Sequence, residues 1–139
     1  MIQIKNQQLL EVLHFLDALA LSPKPSRVRT KLMQKVQQKI EELYRDELEL
    51  LEQYGKKNEQ GKLVEEDGSY PLIEATATEY HKEKRELLAE LATLDVGEFQ
   101  DNFSFLIEAL ENIDTKFSGQ EATTLDFILN FLEKESEEK

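Results

Sequence analysis

Val28, Leu32, Val36, Ile40, Tyr44, Leu48 and Leu51 recur in steps of four and three, and Leu43, Leu50 and Tyr54 widen the stripe. That period belongs to an amphipathic helix. A helix over residues 27–54 is about 40 Å long at a rise of 1.5 Å per residue. Helices in water draw most of their stability from packing, so an apolar stripe of this length needs a partner. Residues 75–92 supply one, with Tyr80, the stem of Lys84, Leu87, Leu88 and Leu91 on one face. Antiparallel packing of the two is the economical arrangement. The stretch between them, YGKKNEQGKLVEEDGSYPLI (54–73), holds three glycines and a proline. Gly55 falls where a helix C-cap glycine belongs. Asp67-Gly68 stands between Leu63-Val64 and Tyr70-Ile73, the turn signal of a small hairpin. Residues 55–73 are therefore expected to form a β-hairpin tip that reverses the chain.

The flanking segments are shorter. MIQIK alternates Ile2 and Ile4 with Gln3 and Lys5, a strand pattern. Asn6 is placed to cap a helix carrying Leu9, Leu10, Leu13, Leu16 and Leu19, which the prolines of SPKPS (22–26) should end. Ser26 is the expected N-cap of the long helix. LATLDVGEF (91–99) sets Leu94 and Val96 on alternate positions and is either a strand partner for MIQIK or a loop. Phe99, Phe103, Leu106, Ile107, Leu110 and Ile113 mark another amphipathic helix. SGQE (118–121) has capping-box spacing ahead of a last helix with Leu125, Ile128, Leu129 and Leu132. Residues 133–139, EKESEEK, read as a frayed acidic tail. The expected fold class is mostly α (α+β), a single domain over residues 1–139: a long antiparallel helical hairpin with a β-hairpin tip, packed with N- and C-terminal helices and a short two-stranded pairing.

The residue inventory excludes much chemistry. The chain has no cysteine, hence no disulfide, thiolate metal site or cysteine nucleophile. No phosphate-binding glycine loop appears. Glu11 and His14 form Glu-x-x-His, the spacing of di-iron bundles, but such a site needs a second copy, and Thr78 stands three residues before His81. No catalytic residue, metal ligand or cofactor is assigned, and the expectation is a protein that is not an enzyme. MIQIKNQQLL lacks the pattern of a signal peptide, and no window approaches the 18 or so apolar residues of a membrane span. The net charge of −12 disfavours bulk attraction to nucleic acid or anionic membrane.

Charge is distributed unevenly along the long helix. Lys24, Arg27, Arg29, Lys31, Lys35 and Lys39 fall in a stretch without acids, whereas Glu41–Glu52 holds six acids and one base, Arg45. Basic residues in the first half and acids in the second oppose the helix dipole and add like-charge pairs at i,i+4. One internal answer is antiparallel packing that sets HKEKR (81–85) against DELELLE (46–52) with opposite signs facing. It would also carry Glu86 and Glu90 towards the basic half. The external answer is recognition of an acidic partner or a phosphate backbone by Arg27, Lys31 and Lys35. With Leu63, Val64 and Tyr70 of the tip, these are the candidate partner contacts.

The segments IKNQQLLEVLHFL, PSRVRTKLMQKVQQKIEELYRDELELLEQYGKKNEQGKLVEEDGSY and EYHKEKRELLAEL resemble an uncharacterised family of small proteins of tailed phages and prophages of Gram-positive bacteria. The resemblance covers roughly residues 1–95 and carries no catalytic motif. It implies a phage origin and a host-cytoplasmic or virion-associated life. The expected function is that of a non-enzymatic accessory protein acting through protein–protein contacts, in particle assembly or host takeover. The alternative is an acidic inhibitor that mimics nucleic acid towards a host defence or nucleic-acid-binding protein. The partner is an unnamed protein, with a homodimer as the expected oligomer.

Overall fold

The computed structural model describes residues 1–137. The fold is mostly α, with a small two-stranded antiparallel sheet. In chain order the elements are β1 (Ile2–Lys5), α1 (Leu9–Asp17), α2 (Pro23–Tyr54), α3 (Ala77–Ala89), β2 (Leu91–Leu94), α4 (Phe103–Glu111) and α5 (Gly119–Glu137). Short 3-10 turns precede α1, α3 and α4. The chain divides into two compact units, one of Met1–Ile40 with the chain from Leu91 onward, the other Glu41–Glu90.

In the first unit, β1 and β2 pair with Ile2 opposite Leu94 and Ile4 opposite Ala92. All four are buried, while Gln3 and Lys5 face outward, as the period of two requires. A lone two-stranded ladder is marginal in water, so this one depends on its apolar face. That face joins a core with Leu9, Val12 and Leu16 of α1, Val28, Leu32 and Val36 of α2, Leu106 of α4, and Ile128 and Leu132 of α5. Each such side chain contributes about 1.5–3 kcal/mol on full burial. The strand reading of residues 91–94 thus prevails over the loop. Leu91, expected on the second long helix, starts β2 and is exposed.

Two helix boundaries differ from the sequence reading. The long helix starts at Pro23, not after Ser26. Both prolines fall in its first turn, where backbone N–H groups have no intrahelical acceptor to lose. Ser26 already donates its N–H to the Ser22 carbonyl at 3.0 Å. At the other end, α5 continues to Glu137, taking in five residues of the segment expected to fray; the rest of that segment, Glu138 and Lys139, lies outside the described residues. Glu135 explains the continuation: its buried carboxylate pairs with the Met1 amino group, and its carbonyl accepts from Gln100 Nε2.

In the second unit, Leu43 on α2 and Tyr80 and Leu87 on α3 are buried, and Tyr54 stacks on Tyr80 with ring centroids 6.2 Å apart. The C-terminal end of α2 meets the N-terminal end of α3, which is the antiparallel arrangement. Between them the chain turns at Asn58–Gly61 and at Glu66–Ser69. Glu66 and Ser69 exchange both backbone hydrogen bonds (2.8 and 2.9 Å) across Asp67-Gly68, whose φ values are 50° and 80°. The glycine and the aspartate tolerate this left-handed pair, as a tight hairpin turn needs. Yet Leu63-Val64 and Tyr70-Ile73 do not pair with each other as expected. Val64 donates to Lys56 and Lys56 donates to Pro71, both at 2.9 Å, so residues 55–57 run between the two arms. Asn58 makes the extra reversal, its Oδ1 accepting from the N–H groups of Gln60 and Lys62 at 3.0 Å each. Gly55 is required at the start: a Cβ there would lie 2.6 Å from both the Leu51 carbonyl oxygen and Leu63 Cδ2.

Candidate functional site: a cationic cleft in the first unit

Lys24, Arg27, Val28 and Lys31 follow one another at i, i+3, i+4 and i+7, so the first turns of α2 present them on one face. Opposite stand Phe99, Asn102 and Phe105, from the 3-10 turn before α4 and from α4 itself. The seven residues line a cleft of about 300 Å³. Val28 and Phe99 are buried and form its apolar floor, and Phe99 meets the core through an edge-on contact with Phe103 (5.8 Å, 74°). The three cations are exposed, and Lys24 Nζ lies 5.2 Å from the centroid of the Phe105 ring, which is itself 38% exposed. Among the described residues neither Arg27 nor Lys31 makes a hydrogen bond or an ion pair with a carboxylate.

A second hollow of about 600 Å³ adjoins the first through Lys24 and Phe105 and continues to Glu108, Ala109 and Asn112. The residues Asn102 to Asn112 extend the groove along about 15 Å of helix, the span of four or five residues of extended chain. Chemically, the cleft offers three positive charges beside exposed aromatic surface, with the Glu108 carboxylate farther along the groove. It is suited to an anionic segment with an apolar anchor.

The neighbouring Arg29 is committed elsewhere. Its Nη1 donates to the carbonyls of Leu16 (2.9 Å) and Leu19 (2.7 Å), and its Nη2 to Ser26 Oγ (3.1 Å). These carbonyls close the end of α1, where helices leave acceptors unsatisfied. One of the six basic residues in the acid-free stretch therefore has a structural role.

Of the candidate partner contacts, Arg27 and Lys31 come together, joined by Lys24; Lys35, half-buried, does not line the cleft. Leu63 and Val64 are half-buried in the second unit, and Tyr70 is exposed near the Asp67-Gly68 turn. The aromatic half of the cleft escaped the sequence reading. Its signal was Phe105, which stands off the Phe103, Leu106, Leu110 stripe and so points away from the core.

In the second unit the expected facing of opposite charges is corrected. Asp46 and Glu49 of α2 share a groove of about 310 Å³ with Glu83 and Glu86 of α3 and Glu90 just after it, like charge facing like. The reason is register: 83 and 86 fall on the α3 face towards α2, which leaves Lys82 and Arg85 exposed on other faces. Among the described residues no group of three or more His, Asp or Glu is arranged to hold a metal, and no helix is long and apolar enough to cross a membrane.

A family described as "Protein of unknown function (DUF1617)" matches residues 1–139. The chain belongs to that family. Membership extends over the C-terminal helices, beyond the residues 1–95 that carried the resemblance in the sequence. No curated protein and no solved structure matches this member of the DUF1617 family.

Proposed function

We propose that this DUF1617 protein is a non-enzymatic accessory protein of tailed phages or prophages that acts through protein–protein contacts, in particle assembly or host takeover. The observation that carries the reading is the cleft of Lys24, Arg27 and Lys31 beside Phe99 and Phe105. Among the described residues Lys24, Arg27 and Lys31 have no carboxylate partner, and the like-charge pairs Lys24–Arg27 and Arg27–Lys31 each cost a few tenths of a kcal/mol (about 0.2–0.5) that a bound anion would relieve. The partner is an acidic protein segment with an aromatic or aliphatic anchor. Exposed ion pairs contribute about 0.2–1 kcal/mol each, so three of them set specificity while the anchor on Phe105 supplies much of the affinity. The phage setting rests on the resemblance of residues 1–95. The test is affinity purification from infected or lysogenic cells with the wild type and a Lys24→Glu/Arg27→Glu/Lys31→Glu variant side by side. A protein held by the wild type and lost by the variant supports the proposal; identical captures from both refute it.

A second reading, an acidic inhibitor that mimics nucleic acid, is favoured by the five carboxylates of the Asp46–Glu90 groove. It predicts capture of a DNA-binding protein that survives the cleft variant and is lost on Glu83→Gln/Glu86→Gln/Glu90→Gln.

A further inference from the structure

A second cavity in the first unit has the opposite character. It encloses about 410 Å³, within the range of small-molecule sites. Its walls are apolar: Phe15 and Leu19 from the end of α1, and Ile113 and Phe117 from the segment joining α4 to α5. Phe15 and Phe117 meet with centroids 5.2 Å apart at 49°, two rings fixed in place by each other. The exposed polar residues around these walls are Glu11, His14, Gln120 and Glu121, together with Thr115. Among the described residues neither lysine nor arginine lines it, and the nearby Arg29 already serves the carbonyls of Leu16 and Leu19. Glu11 Oε2 accepts from Gln120 Nε2 at 3.2 Å, which holds one carboxylate beside the site. The Glu11-x-x-His14 pair, read in the sequence against a metal site, thus belongs to the polar fringe of an apolar cavity.

We propose that this cavity binds a small primary amine carrying an apolar body. The ammonium group sits between the carboxylates of Glu11 and Glu121, and the body packs between Phe15, Leu19 and Phe117. An apolar cavity alone would take any greasy ligand of suitable size; the two carboxylates on its fringe select the cation. An anion of the same shape meets repulsion there, and a neutral alcohol meets neither effect. The site is distinct from the cationic cleft and stands or falls apart from it.

The experiment titrates the full chain with 3-phenylpropylamine, 3-phenylpropan-1-ol and 3-phenylpropanoate at about 150 mM salt, following backbone amide resonances. The amine should bind tightest, with the largest changes at Phe15, Ala18 and Phe117, and the carboxylate weakest. Glu11→Gln/Glu121→Gln should weaken the amine about 2- to 30-fold and leave the alcohol unchanged. Glu65→Gln/Glu66→Gln, which removes the same charge from the exposed tip, should leave both unchanged and so separates the site from general attraction to an acidic protein. Ala18→Leu, a change at an exposed lining residue that fills the mouth without emptying the core, should abolish binding of all three. The proposal is overturned if the amine binds no better than the carboxylate, if its resonance changes lie elsewhere, or if the tip variant weakens it as much as Glu11→Gln/Glu121→Gln does.

Discussion

Replacing Arg29 by methionine keeps the apolar stem and removes the guanidinium. The change strips three hydrogen bonds at once, to Leu16, Leu19 and Ser26. Hydrogen bonds from a charged donor contribute about 1.5–3 kcal/mol each, and a carbonyl left buried without a partner costs about 1–3 kcal/mol. Arg29 is half-buried, so water rescues part of the loss; its own Nε, buried without a partner, is a cost the substitution removes. The balance is a destabilisation of about 2–4 kcal/mol, large against total stabilities of about 5–15 kcal/mol. At about 2–4 °C per kcal/mol for a chain near this length, the melting temperature should fall by roughly 5–15 °C. Arg29→Lys should recover less than half, because one ammonium cannot reach three acceptors in the fork geometry of a guanidinium. Arg27→Met, two residues away and exposed, should stay within about 0.5 kcal/mol of wild type. Urea denaturation followed by circular dichroism, with equal slopes confirming a shared unfolded state, measures all three. Equal effects for Arg27 and Arg29, or a loss below about 1 kcal/mol for Arg29→Met, would refute the structural role assigned to Arg29.

Gly55→Ala should destabilise the second unit by about 1–3 kcal/mol, because the new methyl meets the Leu51 carbonyl and Leu63; hydrogen exchange should rise in α3 and not in α5. Static light scattering should give twice the 16.2 kDa monomer mass at high micromolar concentration, with Tyr44 and Leu48 among the apolar side chains left exposed on α2; a monomer there contradicts the dimer. Duplex and single-stranded DNA should show no measurable binding at about 150 mM salt, where the Debye length is near 8 Å. A salt-sensitive micromolar DNA complex abolished by reversing Lys24, Arg27 and Lys31 would assign the cleft to nucleic acid instead.

Periodicity made most of the first unit legible. Val28, Leu32, Val36 and Ile40 are all buried, and the alternation of Ile2 and Ile4 matches a strand with one face on the core. The same spacing misled further along α2. Leu43, Leu50 and Tyr54 share a face, whereas Tyr44 and Leu48 stand about 100° and 140° around the helix from Leu43 and remain exposed. A stripe drawn in steps of four drifts across a helix that turns every 3.6 residues, and only the partner's position decides which edge is covered. The tip was legible as turns, since Asp67-Gly68 adopts the left-handed pair its residue types favour; Gly55 ends the helix without the left-handed backbone of a C-cap glycine and is needed instead for the close approach of Leu51 and Leu63. The pairing of the tip was not, because Pro71 has no N–H to donate and Asn58 makes a reversal the sequence reading lacked. The charge pattern of Lys24–Lys39 pointed to the cleft, but the aromatic side came from Phe99 and Phe105, some 70 residues on, and no local pattern joins them.

The claim that the cleft receives an acidic segment is tested most directly by a peptide titration. The probe is a five-residue peptide alternating Asp and Phe, capped at both ends, with the Lys counterpart as control, followed by amide resonances at about 150 mM salt. The account predicts saturable changes at Val28, Phe99, Asn102 and Phe105 for the acidic peptide, weakened by added salt and lost in Lys24→Glu/Arg27→Glu/Lys31→Glu. Equal binding of the Lys peptide, or acidic-peptide binding that the triple change leaves intact, would contradict it.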